Sequence, residues 1–342
     1  MKRQILSIQY LRGIAALLVV FYHVLQEVGR CVKNSLFLDF YELRHFGQVG
    51  VDVFFVISGF VMMYVHGNDF QKSNISLKFL KRRIIRVVPL YWILTSFTAF
   101  LLYFKPEFFG GGKVFNFLHV VCSFLFIPAK NSVGLTLPVL GPGWSLNFEM
   151  YFYILFAILL MFNKKYLIRS LSIIFVVSVF CSLFPFDEPL TNMLTNPMLF
   201  EFLFGIILAY LMKNENLKNY SFPIVFGTIL MSSNIYFHFN IDYRVFFYGI
   251  PSALIIMGLI AYEDKIGFGS PNKFLMFLAN ISYSVYLSHV FAYKITLFLL
   301  PRFILSNYPD LVVIFCLISS VILGYVVYKI IEIPLTKLLK NF

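Results

Sequence analysis

Long apolar runs, each about as long as a bilayer is thick and separated by short polar connections, leave this chain few ways to fold. Hydrocarbon offers no water to backbone N–H and C=O groups, so a run that crosses it must satisfy them internally, as a helix does. Taking about 17 to 25 residues per crossing, the sequence predicts ten helices, centred near Leu18, Val56, Thr95, Phe152, Val176, Gly205, Ile229, Leu254, Phe291 and Ile318. Hydrophobic residues make up 60% of the 342, with 43 Phe and 13% charged, more apolar matter than one soluble core hides. The expectation is an all-α polytopic membrane protein, a single transmembrane domain over residues 1–342.

No small-residue cleavage site follows the first run, where Gln26, Glu27 and Val28 stand, so it reads as an uncleaved helix. Lysines and arginines set the orientation. With the amino terminus inside, one side collects 18 of them, including Lys2, Arg3, Lys72 to Arg86, Lys164, Lys165, Arg169 and Lys218. The other side collects 8, including Lys33, Arg44, Arg244 and Arg302, which places both termini in the cytoplasm. The run VFNFLHVVCSFLFIP, residues 114–128, is too short to span and reads as re-entrant or interfacial. No repeat of 20 to 50 residues and no appended soluble domain is evident.

The net charge of +12 is spread along the chain and not gathered on one arm or face, so no nucleic-acid partner is expected. The lipid bilayer is. Cys31, Cys122, Cys181 and Cys316 are far apart and form neither a CxxC nor a Cys/His ligand pattern, so no metal site is read.

Ionisable residues inside apolar helices cost about 2.5 to 3.5 kcal/mol each at mid-bilayer and are functional candidates by default. Arg12 and His23, in QYLRGIAALLVVFYHV, are eleven residues apart and share one helix face, about 16 Å apart along the axis. His23 lies about 8 Å from the outer surface, and Asp52 and Glu149 enter from outside on two other helices at nearly that depth. Gly47, Gly50 and Gly59 prepare the second helix for close packing. His289, in ISYSVYLSHVFAY, sits near mid-membrane, one and two turns after Tyr286 and Tyr283. Each has a structural alternative: a histidine bonded to a neighbour, Asp52 at an interface, Glu149 satisfying Trp144 or Ser145, His289 in a packed polar seam.

In KFLKRRIIRVVPLYW, Lys81, Arg82, Arg83 and Arg86 are placed immediately before the third helix, with Pro89 in its first turn. A basic run there fits simple orientation, and it also fits an anion site built from guanidinium forks. Trp144, Glu201, Tyr243 and Arg244 read as an acceptor entrance or as interfacial anchors.

Taken together, the Arg12-to-His23 spacing, GxxGVDVFFVISGF, the RRxxR of Arg82, Arg83 and Arg86, the WSLxxE of Trp144 to Glu149, SYSVYLSH ending at His289, and Glu332 with Pro334 resemble the acyltransferase-3 family of membrane acyltransferases, over essentially the whole chain. The resemblance implies transfer of an acyl group, usually acetyl, from cytoplasmic acyl-CoA to a hydroxyl of a cell-envelope or exported saccharide. It implies Arg12 and His23 as essential residues and the basic triplet as donor-binding. It implies a bacterial inner-membrane, multi-pass location, acyl-CoA as donor substrate with no permanently bound cofactor, and a saccharide acceptor, and it leaves a homo-oligomer open. His23 is then the general base, with Asp52 or Glu149 restoring its basicity and fixing its tautomer, and His289 available for a relayed acyl-enzyme. A transporter or flippase of lipid-linked saccharide, using His23, Asp52 and Glu149 as a proton relay, is the rival reading.

Overall fold

A computed structural model of the chain describes residues 3–31, 37, 46–108, 112–182, 184, 187–214, 220–237 and 243–340. Lys2, Lys33, Arg44 and Lys218, used in the orientation argument, lie outside the described residues. Among those described, the structure is helical and holds no strand, only an isolated bridge between Lys130 and Thr136. Ten helices are long: α1 Leu6–Cys31, α2 Val49–His66, α3 Ile75–Phe104, α4 Trp144–Leu159, α5 Leu167–Cys181, α6 Leu199–Asn214, α7 Ser221–Phe237, α8 Ile250–Lys265, α9 Lys273–Leu299 and α10 Pro309–Val327. Each of the ten predicted centres falls inside one of them.

Seven candidate spans are long and apolar enough to cross a membrane. They contain α1, α2, α3, α6 with the short helix Pro189–Leu194, α8, α9, and α10 with its continuation to Lys340. The protein is therefore a multi-pass membrane protein. The outward faces agree: Phe97, Phe100 and Phe104 of α3 and Val176, Val177 and Phe180 of α5 are all exposed, as a surface meeting lipid requires.

The structure corrects the sequence reading of the basic run. Lys81, Arg82, Arg83 and Arg86 lie within α3, not before it, and Pro89 is inside that helix, not in its first turn. The helix opens at Asn74, whose left-handed φ of 57° is one that Asn tolerates better than most residues. At 30 residues, or about 45 Å, α3 outruns a hydrocarbon core of about 30 Å. Its basic turns can project past that core without a heavy desolvation cost.

By contacts the chain divides into two compact units. The first comprises residues 1–65 and 200–328. In it α1 packs on α8, α9 and α10, α9 packs on α10, and α7 packs on α8. Glu263 of α8 caps the start of α1: its carboxylate accepts from the backbone N–H of Leu6 (2.9 Å) and Ser7 (2.7 Å) and from the Ser7 hydroxyl (2.8 Å). That satisfies orphan amides at a helix end and places a negative charge where the helix dipole favours one.

Two glycines set how closely α2 and α6 approach. A Cβ on Gly59 would collide with the Phe202 carbonyl, and one on Gly205 with the Val56 carbonyl. Gly50 approaches α1 in the same way, against the Ala15 carbonyl. These contacts are backbone on backbone and cannot relax by a rotamer change. Gly205→Leu is therefore expected to cost at least about 3 kcal/mol, read as a lowered melting temperature in detergent or failure to accumulate in the membrane. A melting temperature equal to the parent's contradicts the packing.

The second unit comprises residues 66–199 and 329–342. Its core is aromatic, with Phe79, Tyr91, Phe152 and Phe156 fully buried. The Ser76 hydroxyl donates to the Ala157 carbonyl (2.7 Å), and the Tyr91 hydroxyl donates to the Ser123 carbonyl (3.0 Å). Within residues 114–128 the structure forms an eight-residue helix, Phe117–Phe124, capped by Asn116, which accepts from the His119 amide (3.0 Å). The helix Ile333–Lys340 packs on α3.

Candidate active site

The first unit brings two predicted residues together. His23 of α1 and His289 of α9 face each other with ring centroids 4.9 Å apart. The Nδ1 of His23 lies 2.9 Å from the Val19 carbonyl, and the Nδ1 of His289 lies 3.2 Å from the Val285 carbonyl, each one turn back on its own helix. A carbonyl only accepts, so each Nδ1 carries the proton and each Nε2 keeps its lone pair. The expected partners for His23, Asp52 and Glu149, do not set this tautomer; the backbone does.

His289 is 0% exposed, and among the described residues its Nε2 has no hydrogen-bond partner. A buried polar atom left unsatisfied costs about 1 to 3 kcal/mol and calls for an explanation. The His289 ring lies beside that of His23, with Tyr286 and Tyr293 flanking at centroid distances of 6.4 and 6.0 Å. His23 itself is partly exposed. The pair thus offers two unprotonated imidazole nitrogens in one place, one of them reachable.

Arg12 lies on the same helix and braces it. It donates to the Gln9 side chain (3.1 Å) and to the Ser282 hydroxyl of α9 (3.4 Å). A second link between α1 and α9 stands one turn beyond the histidines, where Lys294 donates to Glu27 (2.8 Å) and Arg30 donates to the other oxygen of that carboxylate (2.9 Å). The sequence reading passed over this pair, although the four-residue spacing of His23 and Glu27 was a visible signal.

Asp52 is engaged elsewhere. Arg244 grips it through two parallel bonds, Nε to Oδ1 (2.9 Å) and Nη2 to Oδ2 (2.7 Å), and also donates to the Gln48 side chain and carbonyl, each at 2.9 Å. Asp52 is 0% and Arg244 9% exposed, so this is a buried, bidentate ion pair. Arg244 is neither an open entrance nor an interfacial anchor. Glu201 is also 0% exposed and is a second buried carboxyl beside this pair, interacting with both Asp52 and Arg244. Its side chain rests against Gly249, where a Cβ would come within 2.9 Å of it. Of the four residues read as an entrance, Tyr243 is the exposed one at the first unit's surface.

The remaining candidates belong to the second unit. Glu149 of α4 accepts from the Tyr153 hydroxyl one turn on, and Trp144 at the start of that helix stacks edge-on against Phe148 at 5.8 Å. The basic run divides by helix face. Lys81, Arg82 and Arg86 are exposed, whereas Arg83 is 8% exposed, its guanidinium 5.5 Å from the Phe79 ring and 5.8 Å from the Tyr153 ring. Among the described residues the Nε of Arg83 has no hydrogen-bond partner.

Comparison with known proteins places the chain among relatives of two kinds. The chain is 29% identical over 305 residues to the exopolysaccharide production protein ExoZ of Rhizobium meliloti, covering 86% of this chain and 92% of that one. It is 26% identical over 322 residues to the O-acetyltransferase OatA of Staphylococcus aureus, covering 85% of this chain. The match spans 53% of OatA, about half the length of that relative. Over 155 residues it is 30% identical to protein 2 in the picA locus of Rhizobium radiobacter, covering 41% of this chain and 74% of the relative. No solved structure matches. The family model described as an acyltransferase domain matches residues 5–329, nearly the whole length, and the chain therefore belongs to the acyltransferase-3 family and is an acyltransferase.

Proposed function

We propose that the protein moves an acyl group, acetyl in the first instance, from cytoplasmic acyl-CoA to a hydroxyl of a cell-envelope or exported saccharide, with His23 as general base. The observation that carries the reading is the histidine pair: an Nε2 lone pair on His23, its tautomer fixed by Val19, beside a second imidazole nitrogen that has no partner. A hydroxyl is a poor nucleophile at neutral pH, and a positioned base contributes typically 10²- to 10⁴-fold. The unpartnered Nε2 of His289 is suited to accept a hydrogen bond from substrate, or to act as nucleophile in a relayed transfer. The relatives give the direction of the proposal, since one is named as an O-acetyltransferase and another as an exopolysaccharide production protein.

The topology proposed with it is ten crossings with both termini in the cytoplasm of a bacterial inner membrane. The helices α4, α5 and α7, of 16, 15 and 17 residues, supply the three crossings beyond the seven longer spans. The helix Phe117–Phe124 is proposed to lie at the interface or re-enter. The donor's phosphates are assigned to Arg82, Arg83 and Arg86: two exposed guanidiniums one turn apart, and a third whose Nε–H awaits an acceptor. Arg12 holds α1 in register so that His23 stays opposite His289, and Asp52 supports the first unit through Arg244.

Two results follow. Arg82→Gln and Arg86→Gln are each expected to raise KM for acyl-CoA about 10-fold with kcat nearly unchanged, the signature of lost ground-state binding worth about 1.4 kcal/mol. An unchanged KM removes the donor assignment. At the level of the cell, deleting the gene is expected to remove acetyl resonances from the exported polysaccharide; a spectrum with those resonances intact refutes the acceptor class.

A further inference from the structure

His23 on taking a proton becomes an imidazolium, a cation in a half-dry place beside another imidazole, and it needs a counter-charge. The two carboxylates expected from the sequence are committed, Asp52 to the Arg244 fork and Glu149 to the Tyr153 hydroxyl. A third carboxylate stands on the same helix. Glu27 follows His23 by four residues in α1, a spacing that stacks the two side chains on one face with Cβ atoms about 5 to 6 Å apart.

The carboxylate of Glu27 is fixed on both oxygens. Lys294 Nζ donates to Oε1 at 2.8 Å and Arg30 Nη1 to Oε2 at 2.9 Å. The side chains of Lys294 and Glu27 are 10% and 18% exposed, so this pair is screened less than a surface pair. Lys294 comes from α9, five residues after His289 and next to Tyr293, which flanks the His289 ring. The two helices thus each present a histidine and, about one turn further along, one member of an ion pair.

The geometry points to Glu27 as a positioning residue of the transfer: its carboxylate, held by Lys294 and Arg30, stabilises the imidazolium that forms when His23 Nε2 takes the acceptor's proton. The inference rests on the reading of His23 as base. In that step the acceptor oxygen bonds to the acyl carbon and the carbon–sulfur bond breaks. The proton passes from the hydroxyl to His23 and then to the departing thiolate, so that coenzyme A leaves as its thiol.

The test is steady-state kinetics of the purified full chain with labelled acetyl-CoA and envelope saccharide. Glu27→Gln is expected to lower kcat about 10- to 100-fold, with KM for both substrates within about 3-fold of the parent. Glu27→Asp restores most of that loss. Lys294→Met leaves the carboxylate charged and tied to Arg30, so it is expected to lower kcat by clearly less than Glu27→Gln does. A purely structural tie between α1 and α9 predicts instead that Glu27→Gln and Lys294→Met lose kcat alike, and that result overturns the inference. Should Glu27→Gln not fold, the double variant Glu27→Gln/Lys294→Met leaves no lone buried charge, and parental kcat in it overturns the inference equally. An inactive His23→Ala beside a fully active Glu27→Gln removes Glu27 alone; an active His23→Ala removes the reading of the base beneath it.

Discussion

Replacing His23 with alanine is expected to lower kcat for acyl transfer by about 10²- to 10⁴-fold, the range a positioned general base supplies. The protein should still fold. The hydrogen bond lost is local, from His23 Nδ1 to the Val19 carbonyl one turn back, and that carbonyl remains within its own helix. The packing of α1 on α9 survives through Gly13, which lies against Leu278 and Ala279, and through the Arg12 contact with Ser282. Parallel measurement of melting temperature and turnover separates the outcomes. A stable His23→Ala protein with parental turnover would remove His23 from the chemistry.

The second large effect is on stability. Asp52→Asn or Arg244→Met breaks a buried bidentate pair and strands the surviving charge, which costs about 3 to 5 kcal/mol. Arg244 also holds Gln48 by two bonds of 2.9 Å, so its removal frees the start of α2 as well. The double variant Asp52→Asn/Arg244→Met removes both charges of the pair and is expected to recover part of the loss. The coupling read from the four proteins is the test: a coupling near zero by thermal denaturation in detergent would mean that the two side chains do not depend on each other.

The helices were legible because the bilayer writes them in plain terms: apolar runs of the length a crossing needs, with every predicted centre inside a helix. The start of α3 was misread for a related reason. A proline just after a basic run reads as a helix's first turn, but a helix of 30 residues outruns the hydrocarbon, and Lys81, Arg82 and Arg86 stay exposed on it. His23 and His289 were legible as candidates, since an ionisable residue in an apolar run is costly and rarely idle. Their partners were not. Asp52 and Arg244 are 192 residues apart in sequence, and nothing local in either segment announces the other. Depth alone put Asp52 and Glu149 in one layer with His23, and depth does not specify which helix face a side chain takes. The tautomer of His23 was the reverse case, set by a backbone carbonyl four residues away that any helix supplies.

The account's central claim is donor-dependent acyl transfer to a saccharide. Purified protein in proteoliposomes, supplied with acetyl-CoA labelled in the acetyl group and with envelope saccharide, should place base-labile label on the sugar at a rate that saturates with donor and collapses in His23→Ala. Saccharide crossing the bilayer at the same rate with and without acetyl-CoA, and carrying no label, would contradict it.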